Sequence, residues 1–298
     1  MRTRRPVLTA AMRLALHKWT LDTTPLGEAL RIARRMGWEG VELRREDFEQ
    51  AVVAEGSVER VLELLRTRGI AVACLGVELG WMFAEGAERR RLLEVFSAQC
   101  ARAAAVGCSM VMSPSDRGRG EFRRAAASLR EVGDIAARHG LRLGVEFMSQ
   151  AEQFNTLERL RELIALAGHP ACGVLLDTYH FQRSGGDVRA LRDLAPGEIV
   201  YVQYSDVPPR VEPGKFLDRL PPGRGVVPFV ELFAALAEAG YTGYLSYEAP
   251  NPAAWARDPD EVAREAHAAT RAVLPARWSE RIGSERASDQ SSRRMGDP

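Results

Sequence analysis

The stretch GVLLDTYHFQRSGG, residues 173–186, decides how this chain is read. An apolar run from Gly173 to Leu176 stops at Asp177. His180, one of only five histidines, follows, and the chain then turns on Gly185 and Gly186. Consecutive apolar residues bounded by turn signals read as a strand covered on both faces. Its polar end admits two readings. Asp177 and His180 are ordinary loop polars that close a strand, or the strand delivers them to a site.

The same unit recurs along the chain. Strand-like runs stand at 12–19, 39–44, 70–77, 109–115, 141–147, 171–177, 198–206 and 243–249. Amphipathic segments at 24–37, 57–69, 87–106, 121–140, 155–168, 187–195 and 228–240 read as helices between them. The first of these helices has Thr24 as its cap, Pro25 in its first turn and Gly37 at its end. Strands alternating with helices imply parallel pairing, since each crossover must carry the chain back along the sheet. Eight such units predict a single-domain α/β protein, a (β/α)8 TIM barrel over 12–276. Residues 1–11 read as a loose arm and 277–298, rich in Ser, Arg and Gly, as a disordered tail. A doubly wound open sheet is the alternative. HKWTLDTTP follows the first strand where a dinucleotide fold needs GxGxxG, so dinucleotide binding is not expected.

Bulk properties narrow the partners. A net charge of +1 gives no reason to expect nucleic acid or an acidic membrane as partner. No apolar run is long enough to span a bilayer, and the basic start lacks the apolar segment of a secretion signal. Cys74, Cys100, Cys108 and Cys172 are scattered and form no CxxC pair, which suits core residues in a reducing, cytoplasmic setting.

In a barrel, chemistry sits at the carboxyl ends of the strands. Glu146 ends GVEF, Asp177 ends LLD, Gln203 sits in VYVQYSD and Glu248 ends LSYE. Successive positions are 31, 26 and 45 residues apart, each about one β/α unit, the last stretched by a Pro-rich loop. Three carboxylates aimed at one mouth repel, and a bound cation is the usual resolution. Oxygen donors favour a hard divalent ion such as Mg²⁺ or Mn²⁺ over zinc. His17 and Trp19 fall at the mouth after the first strand, and Glu42, ending the second, is placed to hydrogen-bond a substrate. Trp81, Met82 and Phe83 either edge a pocket or cover the barrel. Arg117 or Arg119, in SPSDRGRG at 113–120, either meets an anionic group or belongs to a surface loop. Asp206 either backs Gln203 or caps its loop.

The motifs GVEF, LLDTYH, VQYSD, RLPPGRG and GYTGYLSYEAPN resemble signatures of the xylose-isomerase-like barrel superfamily over roughly residues 12–272. That superfamily includes sugar isomerases and epimerases, inosose-converting enzymes and 3-dehydroshikimate dehydratases. The resemblance implies a divalent metal (Mn²⁺, Mg²⁺ or Co²⁺) held by Glu146, Asp177, Gln203 and Glu248. It implies that His180 faces substrate, that Arg219 contacts a polar substrate group, and that Glu146 and Glu248 are the catalytic pair. Many epimerases carry His where Gln203 stands. The Gln resembles the 3-dehydroshikimate dehydratase subset, but KFLDR at 215–219 lacks the histidine-rich stretch usual there. The expectation is a metal-dependent isomerase or epimerase of a sugar-like hydroxy-carbonyl compound, with a 3-dehydroshikimate dehydratase-type lyase as the alternative. Its partner is a small-molecule substrate, with no nucleic acid and no membrane. Barrels of this family are often oligomeric, so a homo-oligomer is compatible with the sequence.

Overall fold

Parallel strands buried on both faces need a helix over each crossover, and the chain supplies them in order. The computed structural model describes residues 12–210, 212 and 214–275; the predicted arm and tail lie outside these. The strands are β1 (Arg13–His17), β2 (Gly40–Leu43), β3 (Ala71–Gly76), β4 (Met110–Pro114), β5 (Arg142–Glu146), β6 (Cys172–Asp177), β7 (Ile199–Tyr204) and β8 (Tyr244–Tyr247). They pair in sequence order and β1 closes on β8, giving an eight-stranded parallel barrel. Around it lie α1 (Leu26–Met36), α2 (Arg45–Glu55), α3 (Val58–Thr67), α4 (Gly86–Ala105), α5 (Phe122–Arg138), α6 (Leu157–Ala167), α7 (Thr178–Arg183), α8 (Phe229–Glu238), α9 (Pro252–Trp255) and α10 (Pro259–Val273).

Register makes the site. His17 is opposite Glu42, and Asp177 is opposite Gln203, which in turn faces Ser246. Parallel strands in step end at one rim, so these residues share the carboxyl end of the barrel.

Several elements differ from the sequence expectation. The helix expected at 24–37 occupies Leu26–Met36, with Pro25 at its N-cap and Gly37 ending it in the left-handed region. Helix α2 was not expected, because its apolar residues form no broad stripe and, of these, only Phe48 and Ala51 are buried. Helix α10 also went unread. It packs Val262, Ala263, Ala266 and Thr270 inward on an Ala-rich, charged segment whose apolar side chains are too small to stand out. The segment 187–195 is a 3₁₀ helix over Val188–Asp193. In the opening stretch, Asp177 ends the strand because it also caps α7, its Oδ1 accepting the Tyr179 N–H at 2.8 Å.

The long β7–α8 connection is tied back over the mouth. Asp206 and Leu220 exchange backbone hydrogen bonds of 2.8 and 3.0 Å. The Asp206 carboxylate accepts from the backbone N–H of Val207, Gly225 and Val227 at 2.7–2.9 Å. Asp206 is therefore the anchor of the RLPPGRG loop. Gly225 lies so close that a Cβ there would sit 2.0 Å from the Val207 carbonyl oxygen and 2.6 Å from Asp206 Oδ1. Gly225→Ala should cost about 1–3 kcal/mol by overpacking, seen calorimetrically as a fall in Tm of roughly 2–6 °C. An unchanged Tm contradicts the tethered loop.

Candidate active site

The residues predicted from the strand ends converge. Glu146, Asp177, Gln203 and Glu248 are all at most 6% exposed at the carboxyl end of the barrel. Glu146, Gln203 and Glu248 line a cavity of about 390 Å³, together with His17, His180 and Arg219. Glu42 is placed differently. It is fully buried behind Gln203 and is not among the residues lining the cavity.

The DTYH tetrad builds much of this end. Asp177 Oδ2 accepts from Arg219 Nη1 at 2.7 Å. Thr178 Oγ1 donates to the Ser205 carbonyl at 3.0 Å and accepts its N–H at 3.1 Å, locking the ends of β6 and β7 together. The Tyr179 ring lies under the Arg219 guanidinium, 4.4 Å from its centroid, and its hydroxyl donates to Asp218 at 2.6 Å. His180 turns into the cavity.

Arg219 Nη1 also donates to Glu248 Oε2 at 2.9 Å, so one guanidinium bridges two acids. Like charges about 4 Å apart in a partly shielded interior repel by roughly 4 kcal/mol. One arginine offsets two carboxylates and leaves the third. Burial, then the Asp177 and Glu248 charges, accordingly push Glu146 well above the ordinary carboxylate range. Burial pushes Glu248 up to about 7 against the pull of Arg219. Glu42 rises to about 8, again from burial first and then from Glu248.

Both histidines are held neutral. Burial lowers His17 to about 3, despite Asp47, and His180 to about 4, despite Asp177. His17 Nδ1 accepts the Trp19 N–H at 3.1 Å, and His180 Nδ1 accepts the Ser149 N–H at 3.3 Å. A neutral ring that accepts at Nδ1 carries its proton on Nε2. His17 Nε2 lies 3.6 Å from Glu248 Oε1, and His180 Nε2 lies 3.7 Å from Glu146 Oε1. His17 thus turns an N–H toward Glu248, whereas His180 Nε2, beside Glu146, also faces Arg219 Nη2 at 3.4 Å, a group that can only donate.

The donor set fits a hard divalent cation. Gln203 Nε2 donates to Glu42 Oε1 at 2.8 Å, which orients the amide and leaves Gln203 Oε1 buried without a hydrogen-bond partner. An orphaned acceptor beside converging carboxylates is what a cation satisfies. Glu146, Asp177 and His180 also present atoms within 4.8 Å of one another. His180 Nε2, however, lies 3.4 Å from Arg219 Nη2, whose N–H competes with a cation for that nitrogen.

Of the other predicted residues, Trp19 and Arg117 line the cavity, whereas Arg119 does not. Trp81 and Met82 are buried in the core, and Phe83 stacks on Phe154 away from the cavity. Sequence reasoning did not single out Arg44, which lines the cavity over the Trp19 ring and pairs with Asp47 and Asp22. Nor did it find Tyr179 or Ser149. Their roles arise from side-chain direction at the rim, which strand patterning does not carry.

A closed parallel barrel with its buried acids gathered at the carboxyl rim is the arrangement of the TIM-barrel enzymes. The chain belongs to the xylose isomerase-like TIM barrel family, which matches residues 30–273. A 3-dehydroshikimate dehydratase of Pseudomonas putida is 29% identical over 233 residues, covering 75% of this chain and 36% of that protein. The chain therefore spans about a third of the dehydratase's length. An inosose isomerase of Bacillus velezensis is 23% identical over 265 residues, covering 86% of this chain and 94% of that one. Among solved structures, an IolI protein with a bound zinc atom superposes with a TM-score of 0.81 at 20% identity, over 88% of this chain and 98% of that one. The relatives named by activity are enzymes acting on small molecules. No helix among the described residues is long and apolar enough to cross a membrane.

The buried Glu42 yields a pH test on chelator-treated protein. A carboxyl raised from 4.5 to about 8 binds its proton more tightly folded than unfolded. Its stabilising contribution is full below about pH 4.5 and vanishes as pH rises through about 8. Glu42→Gln keeps an acceptor for Gln203 Nε2 and removes that titration. Calorimetry should show wild type losing more stability between pH 6 and 9 than the variant. Equal losses contradict the assignment.

Proposed function

We propose that this chain is a divalent-metal-dependent isomerase or epimerase of a sugar-like hydroxy-carbonyl compound. The observation supporting this most directly is the pair of buried glutamates, Glu146 and Glu248, each with a buried imidazole nitrogen 3.6–3.7 Å away in one cavity. Glu146, Asp177, Gln203 and Glu248 would hold the cation, which when bound supplies Lewis-acid polarisation of a substrate carbonyl.

The chain's own groups supply the rest. One glutamate removes the proton from the carbon next to the carbonyl, and the other returns a proton from the opposite side or to the neighbouring carbon. A raised carboxyl pKa suits this at Glu248, which at about 7 both accepts and releases a proton near neutrality. The Nε2–H of His17 hydrogen-bonds a substrate oxygen beside Glu248, and the His180 ring, held by Arg219 and Ser149, walls the cavity beside Glu146. Arg219, held flat on Tyr179, orients an oxygen of the reacting end. Glu42 is a positioning residue that fixes the Gln203 amide with its oxygen toward the mouth.

A second reading, a 3-dehydroshikimate dehydratase-type lyase, is favoured by Gln203 and by the 29% identity to part of the P. putida dehydratase. The same base would act, with loss of a β-hydroxyl in place of proton return.

Mn²⁺-loaded protein in D₂O should place solvent deuterium beside the carbonyl of a turned-over ketose or inosose. Glu146→Gln and Glu248→Gln should each lower that exchange by about 10²–10⁴-fold. Undiminished exchange in both variants sinks the two-glutamate reading. Release of an ultraviolet-absorbing diphenol from 3-dehydroshikimate, without exchange on sugars, selects the lyase instead.

A further inference from the structure

Four arginines line the cavity, and their partners set one of them apart. Arg44 is held by Asp47 and Asp22 at 2.6–2.7 Å. Arg45 reaches Glu49 at 2.6 Å and Glu46 at 3.2 Å. Arg219 bridges Asp177 and Glu248. The Arg117 guanidinium has no hydrogen-bond or ion-pair partner among the described residues. The nearby acid Glu152 is turned to Arg119, which lies outside the cavity, at 3.9 Å.

The backbone carrying Arg117 is fixed. Asp116, 6% exposed, accepts the N–H of Gly80 at 2.8 Å and of Phe83 at 3.3 Å, which ties the loop to the β3–α4 connection. The Arg117 carbonyl accepts the Glu152 N–H at 2.8 Å, tying it to the β5–α6 connection as well. The loop thus presents a free guanidinium at the cavity rim from a braced base. Gln150, from the β5–α6 connection, lines the cavity too and adds an amide.

A guanidinium forks onto a carboxylate or a phosphate with two parallel N–H donors, and it is not neutralised by losing a proton. We infer that Arg117 is the specificity-determining residue of this cavity, and that it binds an anionic group of the substrate distinct from the carbonyl handled by the acids. The substrate class is then a hydroxy-carbonyl compound carrying a carboxylate or a phosphate. A cavity of about 390 Å³ accommodates a six-membered ring bearing one such group. The inference rests on the function proposed above for the acids, and it adds what the Arg117 rim recognises.

The test is titration calorimetry on Mn²⁺-loaded protein with three probes: 3-dehydroshikimate (carboxylate), ribulose 5-phosphate (phosphate) and scyllo-inosose (neutral). An anionic probe should bind tighter than the neutral one, and which of the two wins identifies the anion. Arg117→Met should weaken that probe by about 10–100-fold and change the neutral probe by less than about threefold. Arg117→Lys should recover part of the loss. Unchanged Tm in both variants separates recognition from folding. Neutral binding as tight as anionic binding, anionic binding indifferent to Arg117→Met, or no binding of either anion overturns the inference. Deuterium exchange on the same probes is read separately. Arg117-dependent binding without any exchange or turnover sinks the proton-transfer reading, whereas exchange indifferent to Arg117 sinks this one.

Discussion

The barrel must keep three carboxylates, Glu146, Asp177 and Glu248, buried at one rim with a single arginine bridging two of them. That electrostatic constraint organises the carboxyl end of the molecule. It explains why burial and mutual charge push Glu146 and Glu248 upward, and why Arg219 is brought back from a loop well beyond β7. It also explains the support beneath that arginine. Tyr179 supplies a flat face, Asp218 orients the phenol, and Asp206 pins the returning chain. A site this acidic gains most from a divalent ion, and the orphaned Gln203 oxygen is the further donor such an ion needs.

The same geometry divides labour between cation and protein. Two neutral imidazoles, each accepting a backbone N–H at Nδ1, stand beside two glutamates in one cavity. Such symmetry suits a proton taken and given back, which is why an isomerase or epimerase stands ahead of the lyase. The family accommodates both chemistries, since relatives named inosose isomerase and 3-dehydroshikimate dehydratase share this barrel.

Much of this was legible in the chain. The strands read at 141–147 and 171–177 end on Glu146 and Asp177, because buried parallel strands are written as unbroken apolar runs, whereas β7 stops at Tyr204, short of Asp206, and β8 at Tyr247, one residue before Glu248. Asp177 was harder to read, since one residue closes a strand, caps a helix and holds Arg219 at once. Glu42 shows where pattern stops. A glutamate ending a strand looks like a substrate contact, and only side-chain direction reveals that it lies behind Gln203. Helices α2 and α10 escaped for a plainer reason, as Ala and a few isolated apolar residues make a weak stripe. The reach of Arg44 to Asp22 and the Arg117 guanidinium, unpaired among the described residues, were beyond the sequence altogether, because both depend on how separate loops are placed.

The central claim is that the rim carboxylates and Gln203 form one cation site. Anomalous scattering from crystals soaked in Mn²⁺ tests it most directly. The account predicts a single strong peak with oxygens of Glu146, Asp177, Gln203 and Glu248 about 2.0–2.3 Å away, Gln203 Nε2 still on Glu42, and His180 outside the coordination shell. A peak bound through His180 Nε2, or no peak at the rim at saturating Mn²⁺, contradicts it.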